Sequence, residues 1–214
     1  MKPYISADLQ KFLTPGPNEE AVDQPLYSAK SYAAAGQTVL SFFGDTQSST
    51  DVYTTNMDGA NMLGVGKRFV VFGVGVALLN GGNPVQSNVS SSPVFNLTDA
   101  QAVLEGKAEF EFKIIDKVYL QETPLSRLPA GIGLAVGAGG IQQTQATAAA
   151  GTNAVTYASN GVPQLTAMRR LRVPMALPSQ VRFSATINFA SAISIGSASR
   201  MIVILDGMMI RARQ

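Results

Sequence analysis

Glu109 and Glu111, in the stretch "KAEFEFKIIDKVYLQ", are the first residues whose spacing suggests chemistry. Two residues apart on a β-strand they share one face at about 7 Å, within the separation used by the carboxylate pairs of glycosidases. The flanking lysines and the alternation with Ala108, Phe110, Phe112 and Ile114 give the plainer reading, a solvated or intersubunit strand face. Asp45, Asp51 and Asp58 in a polar loop are a conceivable calcium set, but without the spacing of an EF-hand. "GVGKRF" at 64–69 lacks the first-glycine spacing and the Ser or Thr of a phosphate loop, and the glycines of "GIGLAVGAGG" do not make a dinucleotide fingerprint. Asp206 in "LDGM" lacks the Thr-Gly that follows an aspartic-protease carboxylate, and reads as a turn residue. The chain has no His and no Cys, which removes Ser–His–Asp and Cys–His arrangements, histidine zinc sites, thiolate metal sites and disulfides. No catalytic residue, metal or cofactor is assigned, and the reading is that of a non-enzyme.

The arginines are the other group with chemistry to offer. The net charge of +2 hides an asymmetry, because Arg169, Arg170, Arg172, Arg182, Arg200, Arg211 and Arg213 crowd the last 51 residues against Asp206 alone. Guanidinium suits bidentate pairing with carboxylate or phosphate. Salt bridges within or between chains are the first reading. Arg169, Arg170, Arg172, Arg211 and Arg213 become candidate interface residues, with Glu109 and Glu111 of an adjacent copy as candidate counterparts. Non-specific contact with nucleic acid or acidic lipid is the alternative use of this Arg-rich part. No aromatic residues interleave with the arginines as a base-stacking surface requires.

These residues must be positioned by β-structure. "QVRFSATINF" (180–189) alternates Val181, Phe183, Ala185, Ile187 and Phe189 with polar residues, as a half-buried strand does. "QTVLSFFGD" and "KRFVVFGVGVALLN" are further strands, the second closed by the turn "NGGNP", with Gly73 and Gly75 marking a bend or a close backbone approach. A short strand is expected around Val52 and Tyr53. "KAEFEFKIIDKVYLQ" is one long strand, or two joined by a bend near Asp116. "RRLRVPMALPSQVRFSATINF" holds two strands, and "RMIVILDGMMIRARQ" a final hairpin or edge around Asp206-Gly207. "NLTDAQAVLEG" predicts a two-turn helix with Thr98 as N-cap, Gln101 completing the capping box and Gly106 ending it. "SADLQKFL" predicts a short helix capped by Ser6, with Leu9, Phe12 and Leu13 on one side.

Residues 1–37, punctuated by four prolines, read as an N-terminal arm across its own domain or a neighbour, or as a loose terminus. Residues 38–214 read as one domain with a long loop insertion over 129–168, uncharged from Ala130 to Met168 and long enough for one hairpin. The fold class is all-β, an antiparallel β-sandwich with the jelly roll as the expected topology, one short helix and long loops. Charged residues are only 14% of the chain, well below the usual quarter, as suits surfaces covered by neighbours. No run has the apolar length of a transmembrane helix. The opening residues lack the apolar stretch of a secretory signal, so synthesis in the cytoplasm is expected.

A Pro-rich arm before "TVLSFFG", the loop and strand "TTNMDGANMLGVGKRFVVFGVGVAL", the late "RRLRVPMALPSQVRFSATINF" and the terminal "RMIVILDGMMIRA" together resemble the jelly-roll coat and virion structural proteins of bacteriophages, especially small tailless, membrane-containing ones. The resemblance is one of layout over residues 38–214. It implies a self-assembling capsid subunit without catalysis, made in the host cytoplasm and located in the virion. Its implied partners are copies of itself, as a trimer or higher homo-oligomer, and other virion proteins. Double jelly-roll coat proteins are generally longer, so 214 residues imply one jelly roll with a decorated loop or a compact pair. The competing expectation is a binding module: a phage receptor-binding, tail or decoration domain, or a carbohydrate-binding sandwich. The absence of Trp weighs against a sugar platform.

Overall fold

A computed structural model describes residues 6–47, 54–80, 102–130, 133–138, 156–161, 168–196 and 198–213. They form a short helix, α1 (Ala7–Leu13), a helical segment at 102–105, and strands β1 (Glu19–Asp23), β2 (Leu26–Tyr32), β3 (Val39–Phe42), β4 (Arg68–Asn80), β5 (Ala108–Ile114), β6 (Lys117–Glu122), β7 (Gly133–Ala138), β8 (Thr156–Gly161), β9 (Arg169–Leu177), β10 (Phe183–Phe189) and β11 (Ser199–Ala212). One antiparallel sheet has the order β1-β11-β4-β9, with β2 also on β11. The other has the order β3-β10-β5-β6. β7 and β8 pair as a separate hairpin inside the predicted insertion. Among the described residues no helix is long and apolar enough to cross a membrane.

Alternation builds the core between the sheets. β5 and β10 both bury every second residue, Ala108, Phe110, Phe112 and Ile114 facing Phe183, Ala185, Ile187 and Phe189. From the opposite sheet Phe69, Val71, Val74, Val76, Met201, Val203 and Leu205 meet them. Phe183 is central, with ring centroids 5.5 Å from Phe43 and 5.9 Å from Phe112, and Tyr32 meets Phe189 edge-on at 5.6 Å.

The pairing is nested. β2 pairs with β11, β3 with β10, β4 with β9 and β5 with β6, so a ribbon of antiparallel pairs runs inward to the Ile115-Asp116 turn. Two further pairings, β11 on β4 and β10 on β5, close it into two sheets. The connections segregate to the two ends. At one, Ile195 and Ala190 donate backbone hydrogen bonds to Ala34 and Lys107, and the Tyr32 hydroxyl donates to the Ile193 carbonyl at 2.8 Å. At the other, Asn61, Gln180 and Ile115 donate to Phe43, Leu63 and Arg182.

Several expectations change. Residues 19–32, read as part of an arm, are strands that follow β11 along its whole length. Pro25 lies in the joint between β1 and β2, where its missing N–H removes no ladder bond. The expected hairpin or edge at Asp206-Gly207 is instead the middle of one continuous inner strand, opposite a β-bulge whose extra residue, Phe72, lies on β4. A turn would have stripped β11 of partners on both sides, and ladder bonds outweigh local turn preference. The expected helix is observed at residues 102–105; its caps Thr98 and Gln101 lie outside the described residues, as do Val52, Tyr53 and the turn after Asn80. α1 begins as predicted, with the Ser6 side chain accepting from the Leu9 N–H at 3.2 Å. The 115–116 bend and the close approach at Gly73 and Gly75 also hold: a Cβ on Gly75 would strike Ala130, and one on Gly73 would crowd Met168 and the Arg169 carbonyl.

Gly207 is the tightest such position in the last strand, since a Cβ there would collide with the Val70 carbonyl and the Phe69 ring. Gly207→Ala is expected to cost about 2–3 kcal/mol by overpacking, measured as a lower midpoint in urea unfolding.

Candidate interaction surfaces

Glu109 and Glu111 stand on the outward face of β5, opposite Asn188 and Thr186 of β10. Glu111 pairs with Lys113 at 2.6 Å, and Glu109 accepts from the Gln121 amide. They lie side by side on an open sheet face instead of confronting each other across a cleft. Asp45 pairs with Lys30 and Asp58 with Lys67, so these two carboxylates are engaged separately; Asp51 lies outside the described residues. Among the described residues no three metal-binding side chains converge. Gly64, Val65 and Gly66 of "GVGKRF" make a turn into β4, with Gly66 at φ 74°. Residues 133–138 of "GIGLAVGAGG" are β7. A cleft of about 170 Å³ includes Gln24, Asn56, Asp58, Lys67 and Arg211 in its lining, small beside ordinary ligand pockets. Asn56 there bridges the Tyr27 N–H and the Pro25 carbonyl.

The predicted arginines separate into two groups. Arg169 on β9 reaches Glu122 on β6 at 2.7 Å, and Arg127 meets the same carboxylate at 3.3 Å. Because β6 and β9 are edge strands of different sheets, this triad clamps one side of the sandwich. Arg170 crosses Gly73 to Asp206 at 2.6 Å, which the absence of a side chain on the middle strand permits. Arg211 pairs with Glu20 at 2.8 Å. Arg172 lies exposed in an irregular stretch of β9, where Leu171 to Pro174 have no ladder partner on β4; Arg213 is exposed beyond β11. Within one chain, then, the candidate arginines meet Glu122, Asp206 and Glu20, and Glu109 and Glu111 meet other partners.

Sequence reasoning missed Arg68 and Glu122. Arg68 grips Glu19 through two nitrogens at 2.6 and 2.8 Å, donates to the Phe12 and Thr14 carbonyls and lies over the Phe12 ring. It ties the end of α1 and the start of β1 to β4. Val70 and Ile210, outward-facing on the same sheet, are also fully buried. The partner carboxylate is 49 residues away in sequence, so no local spacing signals the pair.

The surface also exposes large apolar side chains. Ile115 and Val65 protrude from turns at the same end of the sandwich, Val118 and Tyr119 from edge strand β6, Val173 from β9 and Val39 from β3. Ile115 holds φ 56°, a conformation a β-branched residue adopts at a cost.

Glu122→Gln is expected to cost about 1–2 kcal/mol, since two guanidiniums lose a mostly covered carboxylate while keeping solvent contact. Arg172→Ala is expected to stay within about 0.5 kcal/mol of the parent, both read from urea unfolding. The hydrogen bond from Arg68, then that from the Gly16 N–H, holds the Glu19 carboxyl below its ordinary 4.5. A depressed folded value means the attachment is fully present above the unfolded value and is lost as pH falls through the folded one. The protection of α1 and β1 amides, taken relative to their intrinsic exchange at each pH, is therefore expected to fall on acidification below about pH 4.5, and Glu19→Gln to remove that pH dependence.

Comparison of the chain with protein-family models, with characterised proteins and with solved structures gives no match.

Proposed function

We propose that the chain is a jelly-roll structural subunit that assembles with copies of itself into the capsid of a bacteriophage, without catalysis of its own. Numbering the sandwich strands from β2 as one to eight, with β7 and β8 set aside as an insertion, the sheets read 1-8-3-6 and 2-7-4-5. That order is the one a single eight-stranded ribbon would give when rolled up, which supports the jelly-roll reading, an architecture shared by capsid and lectin domains. Fold alone does not carry function. The observation that favours assembly is the outward display of Ile115, Val118, Tyr119, Val173, Val65 and Val39 on a surface poor in charge.

Apolar groups at the turns and edges of a sandwich gain nothing within one chain, and Ile115 is held in a strained conformation while exposed. Burial against neighbours gives both features a return, and a surface with little charge strands few ions when covered. Edge-to-edge strand addition is disfavoured by the shortness of β3, the Pro25 joint, the irregular β9 with Pro174 inside it, and Lys117 on β6. The contacts proposed are accordingly through side chains.

The test is the mass of the purified full chain by size-exclusion chromatography with light scattering, at low and high salt. A trimer or larger particle is expected, with particles visible by electron microscopy as concentration rises. A monomer at every concentration and salt overturns the proposal and turns attention to a receptor- or carbohydrate-binding module.

A further inference from the structure

The two side walls of the sandwich carry opposite electrostatic character, despite a net charge of only +2. On the wall made by β6 and β9, every ion pair turns its cation outward. Arg127 and Arg169 are 55% and 39% exposed over Glu122 at 10%, and Arg170 is 47% exposed beside Asp206 at 14%. Arg172 and Lys117 add exposed cations with no carboxylate partner among the described residues, and Lys117 lies 5.5 Å from the centre of the Tyr119 ring. Between these cations stand the exposed Val118, Tyr119 and Val173.

On the opposite wall, made by β1, β2 and the β3–β4 connection, the ion pairs of β2 and of the connection turn their carboxylates outward, with Arg213, bonded through its N–H to Asn18, an exposed cation at the wall's edge. Asp58 is 52% exposed against 34% for Lys67, and Asp45 is 44% exposed against 28% for Lys30. Asp23 at the end of β1 is exposed as well, and Val39 on neighbouring β3 supplies an apolar residue. The Arg68–Glu19 and Arg211–Glu20 pairs on this side are close to balanced in exposure.

From this we infer that copies of the chain associate head-to-tail, the cationic β6–β9 wall of one seated against the acidic β1–β2 wall of the next. The inference rests on the assembly reading and specifies its geometry. A contact between two different walls is heterologous, so it generates a ring when the rotation between copies closes. The carboxylates beneath the cationic wall hold Arg127, Arg169 and Arg170 in place, which lowers the ordering cost of engaging further anions. Val118, Tyr119 and Val173 form the apolar centre and the cations its rim, the usual anatomy of a protein interface.

The test reverses each wall in the full chain: Lys117→Glu with Arg172→Glu on one, Asp23→Lys with Asp58→Lys on the other. All four side chains are solvent-exposed, and circular dichroism and thermal melting verify the fold. Light scattering and sedimentation are expected to show either reversal weakening association at least about tenfold, equivalent to about 1.4 kcal/mol. The chain carrying all four substitutions regains the oligomer, because both walls then exchange sign together. Lys117→Gln with Arg172→Gln gives a milder loss and a shallower salt dependence, and serves if a reversal fails to fold. A wild-type oligomer unmoved by either reversal overturns the wall contact and leaves the assembly reading standing. Loss without rescue in the fourfold variant overturns the pairing of these two walls. A wild-type chain that stays monomeric overturns both readings; if it binds anionic phosphatidylglycerol vesicles through Lys117 and Arg172, the cationic wall has a lipid occupant instead of a second copy.

Discussion

β11 is the strand on which the whole sandwich depends. Of its fourteen residues, Ser199 to Leu205 and Met208 to Ile210 have partners on both sides, β4 along one and β2 followed by β1 along the other. The last strand of the chain is thereby tied to residues 19–32, and the β1–β2 edge of its sheet cannot be completed until the C-terminal segment is in place. Loop closure of this span is entropically costly before contacts return anything, so a slow, cooperative folding step is built into the topology. Opposite Asp206-Gly207 the extra residue of a β-bulge, Phe72, shifts the inward parity of β4 from Phe69 and Val71 to Val74, Val76 and Leu78, while β11 keeps Met201, Val203, Leu205 and Met209 facing the core without a break.

Charge in this molecule works at the margins of the sandwich. Arg68 anchors α1 and β1 to β4, Glu122 joins edge strands of the two sheets, and Asp206 joins β11 to β9 across a glycine. Each of these pairs links elements far apart in sequence and stands at least partly in solvent, so it orients more than it stabilises. The apolar centre carries the stability, while the ion pairs decide which sign of charge the surface presents.

Much of the scaffold was legible in the chain. The alternation in β5 and β10, the break near Asp116, the Ser6 cap and the close approach at Gly73 and Gly75 are local consequences of side-chain type, and each appears where expected. β1 and β2 were not legible, because four prolines and the small polar Ser28 at an inward position conceal the strand pattern. Ser28 is satisfied in the interior by the Phe43 N–H at 2.9 Å, a partner that exists only after folding. The candidate surface was half legible: the arginines stood out by number, but Glu122 and Arg68 carried no local signal.

The sequence by itself determined the fold class and the inward face of most strands, because pleat alternation and burial preference act over a few residues. It also determined that the usual histidine and thiol chemistries are absent, since those side chains are not in the chain. Only the tertiary structure decided which carboxylate each arginine meets, that β11 runs unbroken through Asp206-Gly207, and how cations and acids divide between the two walls. Those outcomes depend on strands 36 to 191 residues apart arriving side by side, and long-range pairing leaves no periodicity in the chain from which to read it.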